Sequence, residues 1–415
     1  MHVLIFLYTI SIVLYVALRM IFPRVLTILV VVFVYCNLFY ISFKKYHITW
    51  EPLLAYDFIG GLSYRTMLDF ASKAQIGASL FVLLMLLTYL FYAFRTFGIR
   101  CFSFRLFGFF IVTWTVVVGG ASLKSEAGSY VERHGIVYDS WDYARNIQRN
   151  GLIIHLVQTY LRQFPSQPSA TERSKFAAIV PREISPSSVQ QFILVQCESC
   201  WYDSNHFRTS FESLISVAAA EFRSVSPVFG GGTANAEFEI LTGLPLKNAP
   251  INGIVYREYR KEISSNAITL ASVLKNSGYG TYAIHNSLRY NWSRDEVLPK
   301  LGFGRFISFE DMHGKLTFKN WLARDELVYS EARSVLQQTQ NKPVFIHALT
   351  VYTHGPFEVV NRDNGFGDYT DRIQQAMADA LAFIKILQEN NPNAVAVLYG
   401  DHKPYFPDMS SGVHR

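Results

Sequence analysis

The sequence predicts two architectures in succession: an N-terminal bundle of membrane-spanning α-helices, then an α/β domain with a mainly parallel sheet flanked by helices. Three observations carry this expectation. Four long apolar runs lie before residue 122. Beyond residue 190, short apolar strands alternate with helical patterns. The residues richest in chemistry stand at the ends of those strands, where open α/β sheets bind their ligands.

Composition sets the frame. The 415 residues are half hydrophobic with a mean hydropathy of +0.16, too apolar for an ordinary soluble enzyme and enough for more than one domain. A dispersed net charge of +6 supports neither a nucleic-acid groove nor a polybasic lipid anchor, so nucleic acid is not an expected partner. Four cysteines make no disulfide framework: Cys36 lies in an apolar run and Cys101 in a short loop, leaving Cys197 and Cys200 as a pair.

Residues 3–22, 25–43, 76–94 and 104–121 are each long and apolar enough to cross a hydrocarbon core of ~30 Å as a helix. The first lacks the charged start and small-residue cleavage site of a signal peptide. Arginines in the two short connecting loops (Arg19 and Arg24; Arg95, Arg100 and Arg105) place those loops in the cytoplasm, and the chain after residue 122 outside it. Residues 44–75 argue the other way, with Lys44, Lys45, Arg65 and Lys73. Their amphipathic middle, 50–64, offers a re-entrant, interfacial or fifth crossing segment.

Residues 123–190 form the expected juxtamembrane helix, near 140–163, and a Pro/Ser-punctuated linker. The domain 191–415 follows. Its strands are expected at 192–197, 280–285, 343–350 and 394–399, and its helices near 234–242, 266–276, 322–339 and 370–389. Glu198 follows the first strand, His285 ends the second, His354 comes shortly after the third, and Asp401 and His402 follow the fourth.

Two carboxylates and an imidazole, Glu198, Asp401 and His402, suit a divalent metal such as Mn²⁺, Zn²⁺ or Mg²⁺. The run Gly230-Gly-Gly-Thr233 delivers a threonine to a helix start, where glycines admit positive φ and unpaired N–H groups face an anion. Metal-bound Thr233 becomes a competent nucleophile. His285 lines the pocket in this reading, whereas His347, inside an apolar strand, reads as a core histidine. Cys197-Glu-Ser-Cys200 reads as a structural disulfide or as two separate buried thiols rather than as a redox pair.

Gln196-Cys-Glu-Ser199, Gly-Gly-Gly-Thr233-Ala-Asn-Ala-Glu-Phe-Glu, Asn291-Trp-Ser-Arg-Asp295, Thr353-His-Gly-Pro-Phe357 and Tyr399-Gly-Asp-His402 resemble, in order and spacing, the lipoteichoic acid synthase and phosphoglycerol transferase branch of the sulfatase (alkaline phosphatase) superfamily. The resemblance covers about 190–402. It implies a sulfatase-like domain in which Glu198, Thr233, Asp401 and His402 bind one metal ion, usually Mn²⁺. It also implies that Trp292, Arg294 and His354 hold the phosphoglycerol group. The chemistry agrees: Arg294 offers a planar fork to phosphate, Trp292 an apolar wall, and His354 a proton near the leaving oxygen. Arg294 has a structural alternative in a pair with Asp295. Only 13 residues follow His402, fewer than the resemblance implies, so a fragment or an unusually completed sheet is expected. Threonine in place of cysteine or serine disfavours sulfate-ester hydrolysis.

The function expected from these residues is transfer of phosphoglycerol from phosphatidylglycerol to an extracytoplasmic glycan or lipid acceptor, by a multi-pass protein of a bacterial cytoplasmic membrane, through a phosphothreonine. The alternatives are a phosphoethanolamine transferase using phosphatidylethanolamine, a hydrolase, and a non-catalytic membrane partner of the same fold.

Overall fold

The computed structural model describes most residues within 12–58, 77–95 and 133–162. It also describes 189–406 apart from 204, 206, 247–252, 313–322, 340–341, 356 and 359–363. The chain divides into two compact units, Met1–Ser166 and Gln167–Arg415.

In the first unit, helix α1 (Arg24–Thr49) starts directly after Pro23, a residue whose missing N–H and fixed φ suit a helix start. Its stretch Arg24–Tyr46 is long and apolar enough to cross a membrane, and it exposes Val25, Leu29, Val32, Phe39 and Phe43. A shorter apolar helix covers Gly77–Ala93. The described residues thus hold one helix of spanning length where the sequence predicts four. The run 104–121, and all of 3–22 except 12, 14–19 and 21–22, lie outside the described residues.

Lys45, which counts against the topology in the sequence, is fully buried. It pairs with Asp57 at 2.7 Å, while its Nζ also donates to the Pro52 carbonyl. Its charge is compensated locally rather than presented to either side. The single helix expected near 140–163 is two, α2 (Tyr143–Asn150) and α3 (Leu152–Leu161). Gly151, at φ 80°, breaks the helical path between them.

The second unit is a five-stranded sheet. Its strands are β1 (Gln191–Cys197), β2 (Gly280–His285), β3 (Arg305–Ile307), β4 (Val344–Leu349) and β5 (Val395–Gly400), in the order β3-β2-β4-β1-β5 with every pairing parallel. The four expected strands are present. β3, with three residues, is too short to show a period in sequence.

The helices of this unit are α4 (Arg208–Ile215), α5 (Thr233–Thr242), α6 (Val255–Glu258), α7 (Leu270–Asn276), α8 (Arg294–Lys300), α9 (Glu326–Gln338) and α10 (Phe366–Asn390). α7 begins at 270 rather than 266 because Thr269 caps it: its hydroxyl accepts the Ser272 N–H while the Ser272 hydroxyl accepts the Thr269 N–H.

Alternation along the strands sends side chains to opposite faces. Ile193, Val195, Ile346 and Ala348 meet Val328, Tyr329 and Ala332 of α9 and Ala380 and Phe383 of α10. Leu194, Ala283 and Phe345 meet Ala234 and Phe238 of α5, Leu274 of α7 and Val297 and Leu298 of α8. A parallel sheet covered on both faces leaves its carboxyl edge as the place where loops from several strands converge.

Candidate metal centre and nucleophile

Register brings the first two ligands together. β1 and β5 are neighbours with Cys197 opposite Gly400, so the residues that follow them, Glu198 and Asp401, leave the sheet side by side. Gly400 is required there, because a Cβ would run into the Cys200 carbonyl. Cys197 and Cys200 are joined by a disulfide, which resolves the alternatives left open by the sequence. Within that small loop Ser199 sits at φ 50°, a left-handed conformation that costs a non-glycine residue about 1 kcal/mol or more. Its N–H donates to Asp401 Oδ1 at 2.7 Å and its hydroxyl to Glu198 Oε1 at 2.9 Å, with His402 Nδ1 at 3.4 Å.

The glycine run then does what its composition predicts. Gly230, Gly231 and Gly232 all have positive φ, and the Gly230 N–H donates to the Lys403 carbonyl, tying the loop to the segment after His402. Gly232 is the left-handed N-cap of α5, so Thr233 is its first residue. The Thr233 hydroxyl donates to Glu198 Oε2 at 3.0 Å and lies 3.3 Å from His402 Nε2. The four expected ligands therefore form one cluster. Acceptor atoms of Glu198, Asp401 and His402 lie within 4.8 Å of one another, all three residues being buried.

The electrostatics of the cluster fit a cation. Burial opposes ionisation of Glu198, but the imidazoles of His354 and His402 and the hydroxyls of Ser199 and Thr233 outweigh it and hold its carboxyl below the usual range. Burial and the Glu198 charge push Asp401 up to about 7. Burial also works against charging His402, yet Asp401 and Glu198 raise it. Asp401 Oδ2 is buried, with His402 Nε2 3.5 Å away but no hydrogen bond among the described residues. An unsatisfied carboxylate oxygen costs free energy unless a proton or a metal meets it, and it faces two further donors of the right chemistry. Glu198, Asp401 and His402, with the Thr233 oxygen beside them, fit one divalent ion.

The remaining expected residues stand at strand ends, in loops and at the start of α8, in different states. Arg294, the first residue of α8, is buried, but its Nε and Nη2 both donate to Glu237 Oε2, at 3.0 and 2.8 Å, and not to Asp295. Only Nη1 lacks a partner among the described residues, so the fork anticipated for phosphate is largely taken up by Glu237. Trp292 and Ser293 just before it have φ 58° and 55°, and the Arg257 guanidinium lies 4.2 Å from the centre of the Trp292 ring. His285 is buried, its Nδ1 donating to the Leu349 carbonyl, and burial followed by the Arg294 charge keeps it well below its usual range. His354 is half-buried with Nδ1 against the Gly355 carbonyl. Glu237 was missed in sequence. Its signal is spacing: four residues after Thr233 it shares that helix face.

Residues 190–408 match the Sulfatase family model, more than half of the chain. The chain belongs to the sulfatase family. Among curated proteins it is 32% identical over 194 residues to a putative cyclic β-1,2-glucan modification protein of Rhizobium meliloti, covering 43% of this chain and 30% of that protein. It is 26% identical over 204 residues to an uncharacterized Haemophilus influenzae protein, covering 43% and 36%. The alignments thus span about a third of the length of the curated relatives.

Similar solved structures are the lipoteichoic acid synthase LtaP of Listeria monocytogenes and the Streptococcus pyogenes phosphoglycerol transferase GacH in complex with sn-glycerol-1-phosphate. LtaP is 21% identical, with 52% of this chain and 57% of that one covered and a TM-score of 0.44. GacH is also 21% identical, with 52% and 62% covered and a TM-score of 0.42. The zinc complex of the periplasmic domain of Escherichia coli EptC is 16% identical, with 54% and 66% covered and a TM-score of 0.39. The family is the one the ordered motifs resemble.

Proposed function

We propose that this sulfatase-family protein is a multi-pass enzyme of a bacterial cytoplasmic membrane with its catalytic domain on the outer side. It transfers phosphoglycerol from phosphatidylglycerol to an extracytoplasmic glycan or lipid acceptor through a phosphothreonine at Thr233. One observation carries the reading. The Thr233 hydroxyl starts a helix behind three positive-φ glycines, with Glu198 Oε2 3.0 Å and His402 Nε2 3.3 Å away.

A divalent ion held by Glu198, Asp401 and His402, Mn²⁺ ahead of Zn²⁺ or Mg²⁺, would supply the positive charge that favours the Thr233 alkoxide and offsets phosphate charge. The chain's own groups do the rest. Glu198 Oε2 orients the hydroxyl proton away from the attacking lone pair. The N–H groups of the first turn of α5 and Arg294 Nη1 face the phosphoryl oxygens.

Thr233 Oγ1 passes its proton to Glu198 Oε2 and forms a bond to phosphorus as the bond to the diacylglycerol oxygen breaks, and that oxygen takes a proton from His354. The acceptor hydroxyl then gives its proton to His354 and attacks phosphorus, and the departing Thr233 oxygen recovers its proton from Glu198. Trp292 and His285 line the head-group side. The glucan-modification name of the Rhizobium meliloti relative supports a glycan acceptor.

The test is Thr233→Ala in membranes supplied with labelled phosphatidylglycerol, paired with mass spectrometry of the wild-type Thr233 peptide. Diacylglycerol release is expected to be lost and a phosphoglycerol adduct to be found. Unchanged release rules out Thr233 as the nucleophile, and a phosphoethanolamine adduct reassigns the donor.

A further inference from the structure

The turn that carries Glu198 is held from outside the sheet by a residue that none of the five motifs contains. Tyr369 lies in α10, fully buried, with its ring fixed edge-on against Phe207 at 4.9 Å and Phe357 at 5.2 Å. Its hydroxyl donates to the Ser199 carbonyl at 2.7 Å and accepts the Trp201 N–H at 3.1 Å, so it spans the turn with both hydrogen-bonding roles filled.

The turn needs such a clamp. Ser199 is held at φ 50° without being glycine. In that conformation its N–H reaches Asp401 Oδ1 and its hydroxyl reaches Glu198 Oε1. Rotation of the turn toward an ordinary φ would withdraw both contacts together. The disulfide closes the turn at Cys197 and Cys200, and Thr353 donates to the Glu198 carbonyl; Tyr369 adds a hold on the two peptide groups that flank Cys200. Burial, opposed by the Trp201 N–H and reinforced by the Asp401 and Glu198 charges, raises the phenol above its usual range, so it remains a donor at neutral pH.

We propose that Tyr369 is a positioning residue of the metal centre, holding the Ser199 turn in its left-handed form so that Glu198 and Asp401 present their oxygens to one ion. This rests on the metal reading of the site. It predicts that loss of one hydroxyl, which touches no ligand side chain, weakens metal binding by about 10-fold, the scale of outer contacts in metal sites.

The experiment is Mn²⁺ titration calorimetry and Mn²⁺ EPR on the full chain in detergent micelles, comparing wild type, Tyr369→Phe and Phe366→Leu. Phe366 packs in the same aromatic cluster, 4.3 Å from Phe406, and its side chain carries no polar atom with which to grip the Ser199 turn. Tyr369→Phe is expected to bind Mn²⁺ about 10-fold more weakly with an altered EPR signal, whereas Phe366→Leu unfolds at lower temperature in chelator yet binds Mn²⁺ like wild type.

Equal Mn²⁺ affinity in Tyr369→Phe and wild type overturns the clamp and leaves the metal reading standing. A wild type that binds no Mn²⁺ overturns both. Should Tyr369→Phe not fold, 3-fluorotyrosine placed at 369 keeps ring and hydroxyl. Its ¹⁹F resonance is expected to shift when Zn²⁺ is added, and a resonance that does not move refutes the coupling.

Discussion

Glu237 and Arg294 form a buried ion pair, at 0% and 1% side-chain exposure, whose removal should separate folding from phosphate binding. Both contacts run to one oxygen, Glu237 Oε2, while Arg294 Nη1 has no partner among the described residues. A pair so incompletely satisfied repays little of its desolvation, yet cutting one side strands the other.

Glu237→Leu leaves a guanidinium that cannot shed its proton, and is expected to cost about 3–5 kcal/mol. In Arg294→Leu the loss falls at the low end, about 3 kcal/mol, because burial already raises the Glu237 carboxyl and it can take up a proton. The double variant Glu237→Leu/Arg294→Leu should return to within about 2 kcal/mol of wild type, since apolar groups of similar volume fill the site.

The assay is equilibrium denaturation of the four proteins in chelator, read as a double-mutant cycle. Additive single costs would refute the reasoning. The folded double variant then carries the functional half of the prediction. Without Arg294 Nη1 it is expected to release diacylglycerol from phosphatidylglycerol far more slowly, and full activity would remove Arg294 from the phosphate site.

Two further outcomes follow from single positions. Burial, then the Arg294 charge, pushes His347 down to about 3 from the ordinary 6.5, so the folded protein keeps it neutral where the unfolded chain protonates it. Its cost is absent above about 6.5 and grows by up to about 1.4 kcal/mol per pH unit on acidification toward 3. His347→Phe should therefore lose about 2 kcal/mol less stability than wild type between about pH 6 and pH 4, and parallel stability curves would count against it. Gly400→Ala drives a methyl into the Cys200 carbonyl; it should destabilise by about 1–3 kcal/mol and, by parting Asp401 from Glu198, weaken Mn²⁺ binding. Wild-type calorimetry for this variant would show that the β1–β5 junction yields without moving the ligands.

Strand identity and the four clustered residues were legible in sequence because their signals are local. A buried strand is a short apolar run, a glycine triplet announces positive φ, and a parallel sheet collects whatever follows its strands at one edge. Glu198, Thr233, Asp401 and His402 could thus be named in advance.

The tertiary structure decided what depends on partners distant along the chain. It gave Arg294 to Glu237 across 57 positions rather than to its neighbour Asp295, and paired Lys45 with Asp57. It also brought Tyr369 of α10 onto a turn 170 residues earlier. No periodicity or propensity encodes such meetings, because each is fixed only when separate elements pack and a buried polar atom must find whichever partner the fold has brought within reach.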